Sequence, residues 1–334
     1  RASILESVLP EALGLVGEMI SSSVFEKEEI AKLVLQSKNM MQAAIARQGN
    51  SYAATRVRSY GSVGGAYDEV MGGISYYRFL SGICESIDRD FDAIKEKLTA
   101  VAREMTLENL TVGITGGASA AESFIAAAPE FGTGTGSGKH YTLEPAYRGN
   151  EAFVIPSAVN YVAKGFNCIK AGIPYDPKMG VLSRILRFDW LWNEVRVRGG
   201  AYGVSRSGDA VFSSYRDPSV GKTVGVYDGT VGYLRDFAAK NPDITKYIIS
   251  TAAGYERPLT PRELGAAAQS NYFEGITDDM RRDAKRRVME TTPEDIGRFA
   301  SLIGAVAEDG RCAVVGCKEK IDAASDVFTV KEDI

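Results

Sequence analysis

The amino-acid sequence predicts an α+β fold, and three observations carry that prediction. Short runs of strand-forming residues occur at EAFVIPSAVNYVAKG (151–165), DAVFSSY (209–215) and RCAVVG (311–316). Between them lie long stretches with apolar residues at helical spacing, and two of these open on Thr-Pro-x-Glu/Asp start signals, at 260–263 and 292–295. The resulting order of strands, helix, strands, several helices and a strand places helices on a sheet, not regularly alternating βαβ units. With 334 residues the chain is long enough for two ordinary domains.

From the N-terminus, residues 4–47 read as helix. Ser23 with Glu26 offers a capping box, and Ile30, Leu33, Val34, Ser37, Met41 and Ala44 recur on one face. A Gly-, Ser- and Tyr-rich stretch (51–73) leads into ISYYRFLSGI, whose aromatics read as core, and a charged helix follows from Asp90 to Met105. LTVGITGG (110–117) reads as a strand without an upstream partner, so it wants a sheet that this segment does not encode. Residues 116–150 turn to Gly, Ala, Ser and Thr and read as a linker with short helical content. Beyond it, Met179 to Arg198 is predicted as one helix with Val181, Ile185, Phe188, Trp192 and Val195 on its apolar face. AYGVS and DAVFSSY then form a hairpin across Arg206, Ser207 and Gly208, and RCAVVG supplies a late strand. LTVGITG and RCAVVG each close a helical run, a faint sign of internal duplication. The chain opens at Arg1 directly in a helical pattern, which leads us to expect that it continues beyond this point.

Composition narrows the function. A net charge of −4 and a pI near 5.4 lack the basic footprint of a nucleic-acid binder. No apolar run approaches the roughly 20 residues that span a bilayer, so no membrane partner is expected. Four cysteines without a CxxC pair and a single histidine give no metal-binding pattern. GTGTGSGK (132–139) fails as a phosphate loop, because GxxxxGK[ST] would need glycine at Thr133 and Ser or Thr at His140. RRDAKRR (281–287) is interleaved and flanked by aspartates and reads as a solvated helix face.

LWNEVRVRGGAYGVS (191–205) is the most informative segment: an apolar helix ends in two arginines, breaks at Gly199 and Gly200, and turns into a strand bearing Tyr202. At about 100° per residue, Arg196 falls at the border of the apolar face and Arg198 further toward water. Arg196 offers a planar fork of donors for carbonyls and carboxylates, and a tyrosine hydroxyl can donate to a developing oxyanion. Residue types alone equally allow Arg196 as an electrostatic cap of its helix and Tyr202 as a half-buried strand residue.

This segment, preceded by NYVAKG (160–165) and followed by TTPEDIGRFA (291–300), resembles the pitrilysin or insulinase-type zinc metallopeptidases, in their presequence-protease branch. GNSYAATRVRSYGSVGGAYDEVMGGISYYRFL (49–80) is similar to the same branch, and the likeness is to the C-terminal half of such a protein. The resemblance implies two related domains of that fold, each a sheet with helices packed on one face, the first incomplete and mostly helical. Residues 1–118 would be the C-terminal part of a third domain, 119–148 a Gly/Ala-rich linker, and 149–334 a fourth domain. The family's zinc motif, HxxEH, needs two histidines, and this sequence has one. Zinc and the general base are therefore expected outside this chain, on an N-terminal zinc-bearing half that is its partner. Family members hold the substrate backbone and support the tetrahedral intermediate with an arginine and a tyrosine, which map onto Arg196 and Tyr202. The implied function is the substrate-binding half of an endopeptidase that degrades short unfolded peptides, inactive alone. The alternative is a non-catalytic scaffold or partner subunit of the same fold. A cytoplasmic or organellar-matrix location is expected.

Overall fold

The computed structural model of the chain describes residues 2–105, 111–117, 119–127, 142–167, 174–197 and 209–334, apart from the side chains of residues 166, 196, 209 and 309. These residues form two compact units, each drawn from three stretches of chain: 1–36, 82–141 and 257–278 in one, and 37–81, 142–256 and 279–334 in the other.

The larger unit is built on a five-stranded mixed sheet. Its strands are β1 (Glu151–Val154), β2 (Tyr161–Asn167), β3 (Asp209–Ser213), β4 (Arg311–Gly316) and β5 (Val330–Asp333), in the spatial order β3-β2-β4-β1-β5. β2 runs antiparallel to both β3 and β4, whereas β1 runs parallel to β4 and β5. Successive side chains of a strand face opposite ways, and here both faces are covered. Cys312 and Val314 of β4, Val162 of β2 and Phe212 of β3 enter one buried cluster, while Ala313, Val315, Tyr161, Ala163 and Val211 enter another. The first cluster is closed by α6 (Met179–Ile185), α7 (Val220–Ala239), α8 (Thr245–Ala252) and α11 (Pro293–Asp309), the helical layer expected on the sheet. The second is closed by α2 (Lys27–Ser59) and α4 (Ile74–Arg103), through Ile45, Ala53, Val57, Tyr60, Ile74 and Tyr77. Of the aromatics in YYRFL, Tyr77 is core, but Phe79 is exposed. β5 was not legible in the sequence, because its edge position leaves it a charged VKED run instead of an apolar one.

Local signals set the helix starts. Thr260 opens α9 (Pro261–Glu274) and Thr292 opens α11, each with the complete reciprocal capping box and proline in the first turn. The expected box at Ser23 and Glu26 is not formed. α1 (Leu9–Ser21) ends just before it, Ser23 Oγ donates back to the Met19 carbonyl at 2.6 Å, and α2 starts only at Lys27. α10 (Asp278–Met289) carries the basic run as a solvated face, with Arg286 paired to Asp283 and Glu290 and Arg287 paired to Asp176 at 3.0 Å.

In the smaller unit, residues 111–117 form no strand; residue 110 lies outside the described residues. A strand is stabilised by cross-strand neighbours. This stretch instead runs beside α9, where Gly265 lies so close to the Thr115 side chain that a Cβ there would collide with it. Val112 and Ile114 stay exposed. α5 (Ala120–Ala127) follows, and Ser119 and Ser123 both donate to Glu6.

The sheet is tied to α2, α3 (Val63–Gly72) and α4 by one guanidinium. Arg56 donates to both oxygens of Glu151 at 2.5 and 2.9 Å, and to Glu69 and Ser75 at 3.2 Å each. Tyr60 donates a short bond to the same Glu151, and Arg56 and Arg78 both lie over the Phe153 ring. Burial alone would disfavour the Arg56 cation, but the bond to Glu151 and the nearby carboxylates more than offset it and raise its pKa. Burial likewise opposes Glu151 ionisation, and the bonds from Arg56 and Tyr60 overcome it, so its pKa is lowered. Glu69 goes the other way: burial outweighs Arg56 and raises its pKa, and among the described residues its Oε2 has no hydrogen-bond partner.

Two outcomes follow. The two carboxyls oppose each other in pH. Glu151 stabilises the fold above its unfolded pKa and loses this as pH falls through its depressed value. The Glu69 contribution is present in acid and is lost as pH rises through its raised value. Arg56→Met leaves both carboxyls raised, so it should cost about 3–5 kcal/mol, and more at pH 8 than at pH 5 in urea unfolding. A loss independent of pH would mean that Arg56 acts by packing alone. Second, an added Cβ at Gly49 of α2 would stand 2.2 Å from the Tyr161 ring. Gly49→Ala, which in an open helix stabilises by about 1 kcal/mol, should instead lower the melting temperature.

Candidate functional site

Sequence pattern predicts one continuous α-helix from Met179 to Arg198; the structure shows otherwise. α6 ends at Ile185, and the backbone continues as π-helix through Leu186–Trp190 and again through Trp192–Val197. A π turn holds one residue more than an α turn. The buried positions record it: Val181, Leu182, Ile185 and Leu186 are followed by Leu191 and then Val195. Phe188, expected on the apolar face, is displaced from it; it is 44% exposed and lies beside the Arg187 guanidinium. The angular argument that placed Arg196 at the border of the apolar face presumed an unbroken 3.6-residue period, which this segment does not keep.

The π segment is fixed from two neighbouring helices. Asp189 accepts a short hydrogen bond from the Tyr247 hydroxyl of α8. Trp190 Nε1 donates to Thr230 Oγ1 of α7 at 3.0 Å, and its ring stacks on Tyr233 at 4.9 Å. Asn193 donates to the Asp189 carbonyl at 2.6 Å, bracing the turn from within. Burial first, then the bond to Asp189, pushes the Tyr247 pKa above the ordinary phenol value, so the hydroxyl keeps its proton and stays the donor. Asp189 and Tyr247 were not singled out in the sequence. The available signal was an acidic residue in the middle of an otherwise apolar LRFDWLW run.

Arg196 lies at the end of this segment, and the structure describes its backbone only. Tyr202 lies outside the described residues, as do His140, Cys168 and the glycine-rich run at 132–139. The geometry therefore fixes the base from which Arg196 projects, and does not bring Arg196 and Tyr202 together. Among the described residues, no group of three or more His, Cys, Asp or Glu is placed to hold a metal ion. Cys312 is buried, and burial pushes its thiol up to about 12, which leaves it inert as a nucleophile or ligand. No helix among the described residues is long and apolar enough to cross a membrane.

Comparison with known proteins places this arrangement. A family model described as the PreP C-terminal domain matches residues 150–320, which hold the whole π segment and four of the five strands. The chain belongs to the presequence-protease type of M16 peptidase. A second model, for a region associated with subfamily C of the M16 peptidases, matches residues 1–83. Protein HypA of Clostridium perfringens is 32% identical over 97% of the chain and 34% of its own length. Presequence protease 1, chloroplastic/mitochondrial, of Arabidopsis thaliana is 31% identical over 92% of the chain and 30% of its own length. The chain thus spans about a third of the length of these curated relatives, and the matched model is that of a C-terminal domain. In fold it is similar to an M16 peptidase inactive domain from Pseudomonas fluorescens, with a TM-score of 0.56 and 16% identity over 92% of this chain and 74% of that one. It is similar also to pitrilysin, with a TM-score of 0.54 and 13% identity over 92% of this chain and 33% of that one.

The π register makes a direct claim about packing. Leu191→Ala should cost about 2–5 kcal/mol, as for a fully buried leucine, whereas Phe188→Ala should cost under about 1 kcal/mol. Equal losses in chemical denaturation would restore the α register.

Proposed function

We propose that this M16 chain is the substrate-binding half of a zinc-dependent endopeptidase that degrades short unfolded peptides, and that it is inactive by itself. Residues 149–334 act in this reading as a fourth metallopeptidase-like domain and 1–118 as the C-terminal part of a third, joined by 119–148. The observation that carries it is the family match over 150–320 together with a π-helical base ending at Arg196. Arg196 takes the peptide backbone through its fork of donors, and Tyr202 supports the oxyanion through its hydroxyl. Both need only donate hydrogen bonds, which suits a chain that contributes binding and orientation.

Zinc does not fit the donors of this chain. A single histidine cannot make a two-histidine site, and the buried glutamates Glu69 and Glu151 are engaged by Arg56. Metal and general base belong to an N-terminal half, joined covalently or as a separate chain. The compartment we propose is cytoplasmic or an organellar matrix, in keeping with the acidic charge and with the chloroplastic and mitochondrial names of relatives.

In the full-length gene product, Tyr202→Phe should lower kcat by about 10²–10³, as loss of an oxyanion donor does. Arg196→Ala should lower kcat/KM, and neither variant should lose zinc by metal analysis. Unchanged peptide turnover in both would remove the assigned roles and leave a non-catalytic scaffold subunit as the better reading.

A further inference from the structure

The π segment raises a question that the peptide-binding role of Arg196 does not answer: what keeps it from relaxing to an α-helix. A π turn gives up regular α-helical bonding and survives where its surroundings hold it, often at functional sites. Here the holding contacts converge on two adjacent residues of the first π stretch. Tyr247 of α8 donates to the Asp189 carboxylate, and Thr230 of α7 accepts from Trp190. Tyr247 and Thr230 are themselves buried, at 4% and 0% exposure, so their positions are set by the core and not by solvent. Thr230 also donates to the Val226 carbonyl of its own helix, which fixes the direction of its lone pairs.

The extra residue has a geometric consequence. Relaxation of one π turn to an α turn rotates everything after it by about one residue step, roughly 100° about the axis. Arg196 lies after the pinned turn, on the same continuous helical path. Whether a guanidinium at that position meets a substrate or turns away thus depends on whether the turn at Asp189 is kept.

We propose that Tyr247 and Asp189 form a positioning pair for Arg196: the hydroxyl-to-carboxylate bond holds the π register and thereby sets the azimuth at which Arg196 reaches the peptide. The inference rests on the peptide-binding role assigned to Arg196 above. The pair touches neither peptide nor reacting atoms and acts only through the helix. Its chemistry also fixes which replacements preserve it. An asparagine at 189 still offers an oxygen to the Tyr247 hydroxyl, whereas alanine does not, and phenylalanine at 247 removes the donor while keeping the buried ring.

The test uses the full-length gene product and a fluorogenic unfolded peptide, with kcat and KM measured separately and thermal unfolding followed on the same samples. Tyr247→Phe and Asp189→Ala should each lower kcat/KM by about tenfold, with the same split between kcat and KM as Arg196→Ala. Asp189→Asn should stay near wild type. Each variant combined with Arg196→Ala should be no slower than Arg196→Ala alone, because the pair acts through that residue. The proposal is overturned if Tyr247→Phe leaves kcat/KM unchanged, or if its effect persists in full in the Arg196→Ala background. It is overturned equally if Asp189→Asn loses as much as Asp189→Ala. If Arg196→Ala itself leaves turnover unaltered, the peptide-binding role fails, and the positioning role fails with it. The first set of results would overturn the positioning role while leaving the peptide-binding role standing.

Discussion

The larger unit depends on a single buried cation. A sheet covered on both faces has few places where a charge can enter, and Arg56 enters by crossing from α2 to the first residue of β1. It answers two carboxylates from two different elements, and its ring contacts with Tyr60 and Phe153 cover the remaining surface of the guanidinium. The arrangement is directional in a way that apolar packing is not. Ala53 and Val57 could slide along Phe153 and Val315, but a planar fork engaged by both oxygens of Glu151 admits one rotation of α2 about its axis. The kink of α2 at Gln48 and the close approach of Gly49 to Tyr161 lie just upstream, so the helix reaches Arg56 already steered by backbone contact.

Against that well-determined face, the opposite face ends in a helix that breaks the regular period. The two sides differ in how legible they were in the sequence. Thr260 and Thr292 announced their helices because a cap is a local event: the hydroxyl, the proline and the acid three positions on are all within one turn. Strands β1, β2, β3 and β4 were visible for the same reason, as runs of β-branched and aromatic residues between turn formers. The π register was not visible, because nothing in LRFDWLWNE is forbidden in an α-helix. What selects the wider turn is Tyr247 and Thr230, tens of residues away in the chain.

Arg56 shows the same limit from the other side. Its position one turn from Ala53, Val57 and Tyr60 put a charge on an apolar helix face, which by itself reads as an error of pattern. Only the fold supplies Glu151, 95 residues later, to explain it. The Ser23 start signal failed for the opposite reason: its pattern was complete, but the hydroxyl found the nearer carbonyl of Met19. Family likeness reached what pattern could not, since it assigned a role to Arg196 that residue types alone left open. The structure places the backbone of Arg196 and leaves Tyr202 outside the described residues.

The parallel pairing of β1 has a consequence for how the molecule comes into being. Asn150, at the start of that strand, and Cys312, at the start of its neighbour β4, are bonded across 162 residues. Synthesis at about 5–20 residues per second separates the two by about ten to thirty seconds. Throughout that interval β1 emerges with neither of its parallel neighbours available, while the helices between them can already form from local contacts. The strand at the centre of the larger core is thus among the last to find its place, and Phe153 and Ile155 must be kept from other partners in the meantime.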